Sequence, residues 1–134
     1  MTPPPAVDDR IDRLLQAITR VSPTPERIAA RQGSRITLVD PATICFIRAE
    51  DKYAVIYTTD REHVLDRILD QIERSLDPTV FLRIHRSVVV NLTYVRELTA
   101  VEGGRFLVRI NDQRGTALHA SRRGVALLRE RLHI

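Results

Sequence analysis

Short hydrophobic runs separated by polar turns dominate the chain from residue 35 onwards, which is typical of β-strands. The turns fall at intervals of roughly 8 to 12 residues, as in all-β domains. The sequence contains no internal repeat and no βαβ pattern, the repeated unit of parallel sheets. The predicted strands are residues 35–40, 43–48, 53–58, 63–65, 80–84, 88–91, 94–101, 106–110 and 116–119.

Two segments of this region have the apolar spacing of amphipathic helices instead. Residues 66–76 form the first, and the Asp-Pro pair at 77–78 ends it. The second begins after Ser121, whose hydroxyl is a suitable helix cap. Its side chains expected to face the domain are Val125, Leu128 and Leu132. The pattern therefore predicts a mainly β domain with two short helices over residues 33–134.

A further helix is predicted near the N-terminus, over residues 7–21. Apolar residues recur there at alternating spacings of four and three, as in a short coiled coil. Two heptads are too short to be stable alone, so this helix should pack on its own domain, a second copy or a neighbouring domain. Prolines follow it closely. Residues 1–32 are thus predicted to be a tail, an amphipathic helix and a linker.

The run from Phe81 to Asn91 is the most unusual of the predicted strand segments. Apolar, mostly β-branched residues flank a polar centre, His85-Arg86-Ser87. A guanidinium and an imidazole do not stabilise a buried strand unless they emerge at an edge or a turn. We therefore expect residues 81–84 and 88–90 to be core, and the polar centre to face a partner.

The charge of the chain is compatible with an anionic partner. Its 134 residues include 21 lysines and arginines against 17 aspartates and glutamates, which gives a net charge of +4. The charges of residues 1–30 cancel, so the whole excess lies in residues 31–134. All basic residues except Lys52 are arginines. Arginine makes the forked contacts that phosphates and guanine edges accept, although genomic composition explains an arginine bias equally well.

Residues that would form a catalytic or metal site do not occur together. Cys45 is the only cysteine, which excludes an intramolecular disulfide and an all-cysteine metal site. The segment Asp60–His63 crowds three potential ligands into one turn, which indicates a solvated turn. Ser87 and Ser121 lack the glycine-rich elbow of a hydrolase nucleophile. We expect no catalytic residue, metal, cofactor or small-molecule substrate.

Nothing in the sequence predicts a membrane segment. No stretch approaches the roughly 18 apolar residues that a membrane span requires, and the proline-rich, acidic N-terminus is unlike a signal peptide. We therefore expect a cytoplasmic protein with no membrane partner.

Basic and polar residues gather at three separate positions, each of which ends or follows a predicted strand: Lys52 with Tyr53, His85 with Arg86, and Arg122 with Arg123. The last pair lies just inside the start of a helix, where the helix dipole prefers anions. Two cations there are mildly unfavourable unless an external phosphate or base edge meets them. Two solvated surface arginines remain the alternative interpretation.

These segments resemble the LytTR-type DNA-binding domain, the output domain of bacterial response regulators of the LytR/AlgR family. The resemblance covers roughly residues 33–134. The segments that carry it are Ile44–Tyr57, Phe81–Asn91, Thr93–Arg96 and Ser121–Arg123.

The resemblance implies an elongated stack of small antiparallel sheets that binds double-stranded DNA through loops and turns. Members of the family reach two successive major grooves and the minor groove between them. Many bind imperfect direct repeats in promoters as pairs of protomers and bend the DNA. The implied function is sequence-specific DNA binding by a non-enzymatic transcription regulator. The implied DNA-binding residues are Lys52, Tyr53, His85, Arg86, Ser87, Arg122 and Arg123.

The side chains of these residues suit different parts of the DNA. Arg86 and Arg123 are assigned to base edges, because a guanidinium pairs bidentately with guanine. Arg122 and Ser87 are assigned to phosphates, which set the register without reading sequence. His85 either donates to the DNA or braces its own turn.

The chain departs from the family pattern at two positions. Lys52 stands where an asparagine is frequent, so phosphate contact is expected to replace base reading at that turn. Gly124 stands where a bulky, often aromatic residue is common, so the helix start is expected to be less well anchored. Asn91 matches the family pattern, and we assign it a structural role at the end of its strand.

Other functional classes remain as alternatives. A protein-interaction or ligand-sensing β module with a basic edge is the main one, while an RNA-binding module would have only Tyr53 and Tyr57 for base stacking. A response regulator also needs a receiver domain, for which 134 residues leave no room. We therefore expect an excised output domain or a stand-alone binder. Residues 7–21 would be a linker remnant or an element that dimerises the protein on DNA.

Overall fold

The computed structural model describes residues 27–134, which form ten β-strands and two α-helices joined by turns and two short 3₁₀ helices. Within this part of the chain, no helix is long and apolar enough to cross a membrane. The strands are β1 (Ile28–Gln32), β2 (Arg35–Val39), β3 (Ile44–Glu50), β4 (Tyr53–Thr58), β5 (Glu62–Leu65), β6 (Phe81–His85), β7 (Val88–Asn91), β8 (Val95–Val101), β9 (Arg105–Ile110) and β10 (Ala117–Ala120). The helices are α1 (Leu69–Arg74) and α2 (Arg122–Leu132).

The strands form three antiparallel sheets, with a five-stranded sheet between the other two. Its order is β5-β4-β3-β7-β6, while β1-β2 and β10-β9-β8 form the smaller sheets. One core lies between the five-stranded sheet, the β1-β2 hairpin and α1. A second core lies on the opposite face, against the three-stranded sheet and α2. The predicted mainly β architecture of stacked antiparallel sheets with two helices is confirmed.

Strand β7 is buried on both faces, which explains its uninterrupted apolar sequence. Val89 packs into the first core, whereas Val88 and Val90 pack into the second. Side chains of a strand alternate between the two faces of a sheet, so a strand between two cores has apolar residues at every position. The expectation that residues 88–90 are core is confirmed.

Asn91 holds the end of β7 in place. Its side chain is 2% exposed, donates to the carbonyl of Ile44 at 2.9 Å and accepts from the Thr93 amide at 2.9 Å. A buried amide with both ends satisfied stabilises this junction. The structural role predicted for Asn91 is confirmed.

Residues 28–32 were predicted to be linker, and this prediction is wrong. They form strand β1, which pairs along its whole length with β2. The segment Ile-Ala-Ala-Arg-Gln has weak intrinsic β-propensity, so pairing and the burial of Ile28 and Ala30 stabilise it. The helix predicted over residues 7–21 lies outside the described residues.

Helix α1 is shorter than the predicted residues 66–76. Ile68 has extended backbone angles at the N-cap position and is 51% exposed, so the helix begins at Leu69 and not at residue 66. The helix ends at Arg74, and a 3₁₀-type bond from the Leu76 amide to the Glu73 carbonyl continues the turn. Leu69, Ile72 and Leu76 are still buried, so the helical spacing identifies the right face but not the right length.

Cys45 is expected to be unreactive in the folded protein. Burial, followed by the nearby Asp112 carboxylate, raises the pKa of the Cys45 thiol from 9.0 to about 11. At pH 8 only about one thiol in a thousand is then ionised, and the thiolate is the reactive form. We expect a disulfide reagent to label the native chain at least about 100-fold more slowly than the urea-unfolded chain. A native rate within tenfold of the unfolded rate would contradict the burial of this thiol.

Candidate nucleic-acid interface

Two of the three predicted DNA-binding positions are turns at the same end of the five-stranded sheet. The first turn, residues 51–53, joins β3 to β4, and the second, residues 85–87, joins β6 to β7. Strands β3 and β7 are antiparallel neighbours, and the Ala49 amide donates to the Ser87 carbonyl at 2.8 Å. With strands about 4.8 Å apart, the two turns lie roughly two strand spacings from one another.

The third position, the start of α2, docks on the last residues of β6. The Ser121 amide donates to the Ile84 carbonyl at 2.9 Å, directly before the 85–87 turn. Arg122 and Arg123 follow at once as the first residues of the helix. We call the region formed by the 51–53 turn, the 85–87 turn and residues 121–123 the basic end. The structure therefore brings together the three positions that the sequence separates.

Gly124 allows α2 to approach the backbone of β6 closely. A Cβ atom at this position would lie 1.9 Å from the Ile84 carbonyl oxygen and 2.6 Å from its carbon. The Gly124 amide also donates to the Ser121 hydroxyl at 3.1 Å, which is the predicted helix cap. The expectation that glycine leaves the helix start poorly anchored is wrong, because the absence of a side chain is what permits this contact.

The 51–53 turn presents its side chains to solvent. Glu50 pairs with Tyr53 across a two-residue connection, and Asp51 has a φ of +56°, in the left-handed region that such tight turns require. Aspartate tolerates this conformation better than most residues. Lys52 is exposed and Tyr53 is 42% exposed. Both side chains are therefore accessible to an external partner.

His85 and Ser87 hydrogen-bond to each other within the 85–87 turn. The Ser87 amide donates to His85 Nδ1 at 3.2 Å, and the Ser87 hydroxyl lies 2.9 Å from the same nitrogen. Because Nδ1 accepts, the neutral ring carries its proton on Nε2. His85 therefore braces its turn, one of the two roles left open by the sequence. Within residues 27–134, Nε2 makes no hydrogen bond and remains a donor.

Arg83 was predicted to be core with its neighbours, and this prediction is wrong. Its side chain is 26% exposed, while Phe81, Leu82 and Ile84 are buried. The guanidinium forms ion pairs with Asp70 and Glu73 of α1 and donates to carbonyls of the 85–87 turn. The sequence contains a sign of these ion pairs. Asp70 and Glu73 lie three residues apart on a predicted helix, and Arg83 interrupts an apolar strand.

Arg86 and Arg123 share one groove. Both are exposed and, in the described part of the chain, neither guanidinium makes a hydrogen bond or an ion pair. They line a groove of about 640 Å³ together with Arg131, and Leu82 and Leu127 supply apolar wall. Two free guanidinium groups on one groove form a surface that attracts anions.

Arg122 is held more firmly than its neighbour. Its Nε donates to the Gly103 carbonyl at 2.8 Å, in the hairpin between β8 and β9. This bond uses one of the five guanidinium donors and fixes the direction of the side chain, so the terminal nitrogens remain available. The hairpin thereby becomes a neighbour of the basic end.

Sequence reasoning missed other basic residues near His85. One cavity beside it is lined by Arg105 and His119, and another by Arg48 and His119. Arg48 also lies over the Phe46 ring, 5.6 Å from its centroid. These residues come from three different strands, so no linear motif could have grouped them.

The exposed arginines of this region are suited to binding an anion. Among residues 27–134, no group of three or more His, Cys, Asp or Glu side chains is placed to hold a metal ion. The Ser87–His85 pair resembles a nucleophile and its base, but the imidazole nitrogen also accepts from the Ser87 amide, as a turn brace does. The exposed guanidinium groups can each donate several hydrogen bonds to an anionic partner.

Comparison with known proteins agrees with this geometry. The sequence model of the LytTr DNA-binding domain matches residues 34–133. The heme-containing CO-sensing transcriptional regulator RcoM 2 of Paraburkholderia xenovorans is 33% identical, over 84% of this chain and 43% of the relative. The sensory transduction protein LytT of Bacillus subtilis is 30% identical, over 81% of this chain and 44% of the relative. An uncharacterized response regulatory protein of Vibrio cholerae is 34% identical, over 63% of this chain and 34% of the relative.

The chain thus spans less than half the length of these curated relatives. A solved structure has the same fold, with a TM-score of 0.73 and 18% identity, and the alignment covers 81% of this chain and 98% of the other. It is the LytTr DNA-binding domain of a protein from Bacillus cereus described as a methyl-accepting/DNA response regulator. Since the family's sequence model covers most of residues 27–134, the chain belongs to the LytTr DNA-binding domain family.

Proposed function

We propose that this domain binds specific double-stranded DNA sequences in promoters, as the DNA-binding part of a transcription regulator. The observation that carries the proposal is the convergence of three polar positions at one basic end. The basic end is a rigid end of a sheet with exposed arginines, and it is suited to a polyanion whose grooves expose hydrogen-bond acceptors. The proposed role is binding without catalysis.

Arg86 and Arg123 are proposed to read base edges. Their guanidinium groups line one groove, and within residues 27–134 no internal partner occupies them. Each can therefore present two parallel donors to guanine O6 and N7, the commonest specific contact in protein–DNA complexes. His85 Nε2 supplies a further donor beside them.

Lys52, Tyr53, Ser87 and Arg122 are proposed to contact the sugar–phosphate backbone. Ser87 has a single hydroxyl proton, so its contact requires the hydroxyl to turn from His85 Nδ1 to a phosphate oxygen. Lysine is a point charge that suits a phosphate better than a base edge, and the Tyr53 side chain is exposed next to it. The bond from Arg122 Nε to Gly103 holds that side chain in one direction while its terminal nitrogens stay free. Such contacts would fix the register of the domain on the duplex.

The names of the relatives supply the proposed context. They include a sensory transduction protein, a CO-sensing transcriptional regulator and a response regulatory protein. We infer that this domain is the output element of a signal-dependent regulator, in a two-component system or alone, in the cytoplasm. Pairs of protomers on direct repeats are proposed as the binding mode, and residues 7–21 as the element that joins them.

Selection of bound sequences from a random duplex pool tests this function. We expect enrichment of one short motif, repeated in the same orientation at a fixed spacing if two protomers bind together. The double variant Arg86→Ala/Arg123→Ala is the matched control, and it should retain weak binding but enrich no motif. A wild-type pool that stays random would refute sequence-specific binding.

A further inference from the structure

Arg83 joins helix α1 to the 85–87 turn. Its Nε donates to the His85 carbonyl at 3.0 Å, and its Nη2 donates to the Arg86 carbonyl. One guanidinium therefore bonds two successive carbonyls of the turn that carries the proposed base-reading side chain. A turn on the surface of a protein is otherwise free to rearrange.

Two carboxylates hold the same guanidinium from the opposite side. Arg83 Nη1 lies 2.9 Å from Asp70 Oδ1 and 2.8 Å from Glu73 Oε1. Asp70 and Glu73 are three residues apart, so they lie on the same face of α1. A single such pair at a surface contributes little, but a charge network with several bonds to one planar group holds it in one geometry.

We propose that Arg83 is a positioning residue: it sets the backbone shape of the 85–87 turn and through it the sequence preference at Arg86. This inference rests on the proposed function, because it concerns how that site reads DNA. Arg83 contacts the carbonyls of His85 and Arg86 and not their side chains, so it leaves both side chains free for a partner.

Lysine cannot replace arginine in this role. The two carbonyls and the two carboxylates are bonded by three different nitrogens of one rigid, planar fork. An ammonium group has the same charge but is a single compact donor on a flexible stem. Substitution by lysine therefore keeps the positive charge at position 83 while it releases the turn.

Arg83→Lys is the decisive variant, measured by the affinity for a selected duplex and for a random duplex across a range of salt concentrations. We expect the ratio of the two affinities to fall about tenfold, as for a weakened base contact, with the salt slope unchanged. The double variant Asp70→Asn/Glu73→Gln is the matched control, since it keeps Arg83 and removes the negative charges of its two ion pairs. We expect it to lower the ratio in the same direction, by a smaller factor.

A second readout tests the turn without DNA. Hydrogen exchange at the Ser87 amide, which bonds to His85 Nδ1, should be at least about tenfold faster in Arg83→Lys, while amides of β7 keep their wild-type rates. An unchanged Ser87 amide, or an unchanged affinity ratio in a folded variant, would overturn the proposal. If the wild type itself discriminates no duplex, the proposed function fails, and the exchange measurement still decides whether Arg83 positions the turn.

Discussion

Replacing Gly124 with alanine is expected to destabilise the domain by about 3 kcal/mol and to remove most of its affinity for DNA. A Cβ atom would lie 1.9 Å from the Ile84 carbonyl oxygen, and a backbone atom cannot move aside as a side-chain tip can. Within a helix, alanine is otherwise about 1 kcal/mol more stabilising than glycine. A net loss of stability in this variant would therefore identify the clash. Displacement of α2 from β6 would also separate Arg123 from the 85–87 turn.

Gly33→Ala is the matched control for this experiment. Gly33 has a φ of +59° and no atom within 4 Å of an added Cβ, and it lies in the β1-β2 hairpin. We expect a loss of only about 1–2 kcal/mol, from backbone strain, with DNA binding unchanged. Chemical denaturation and duplex titration measure both effects. A Gly124→Ala variant as stable as the wild type would show that α2 does not sit this close to β6.

Arg123→Ala and Arg122→Ala are expected to have different effects although the residues are adjacent. Loss of Arg123 should weaken binding to the preferred duplex by about 1–3 kcal/mol and relax the preference at one base position, as for a lost bidentate contact. Loss of Arg122 should weaken binding to all duplexes alike and reduce the salt slope by about 1. Alanine is compatible with the helix in both cases.

The contrast between the two variants is the measurement, because each serves as the control for the other. Titrations of the preferred and a random duplex at several salt concentrations give the affinity ratio and the slope for each variant. If both variants lose affinity equally for preferred and random DNA, the assignment of Arg123 to a base edge is wrong.

Local pattern was enough to predict most of the strands. The apolar runs at 53–58 and 88–91 match β4 and β7, because their burial is large and their turns are strong. Pattern failed where tertiary contacts decide. Strand β1 has weak β-propensity and forms because it pairs with β2. In β2 the apolar side chains of Ile36 and Leu38 face solvent and are 54% and 52% exposed, so alternation of apolar residues does not by itself identify a buried face.

The sequence identifies several residues of the candidate site, but it does not predict how they are arranged in space. Polar residues in apolar surroundings mark His85 and Arg86 in the sequence alone, since a core would not include them. That Ser121 bonds to Ile84 depends on how α2 packs across the second core, over a separation of 37 residues. The same packing makes Gly124 essential. On the opposite face of the sheet, the packing of α1 in the first core brings Asp70 and Glu73 to Arg83. Neither arrangement follows from local propensity.

The central position of the five-stranded sheet also bears on how the domain unfolds. Because β7 sends Val89 into one core and its neighbours Val88 and Val90 into the other, melting of either core alone would expose one face of β7 to solvent, which opposes separate unfolding of the two cores. Small domains of this kind unfold in a single cooperative transition. The amides of β3 and β7 should therefore exchange only through global unfolding, and the 85–87 turn keeps its framework for as long as the molecule is folded.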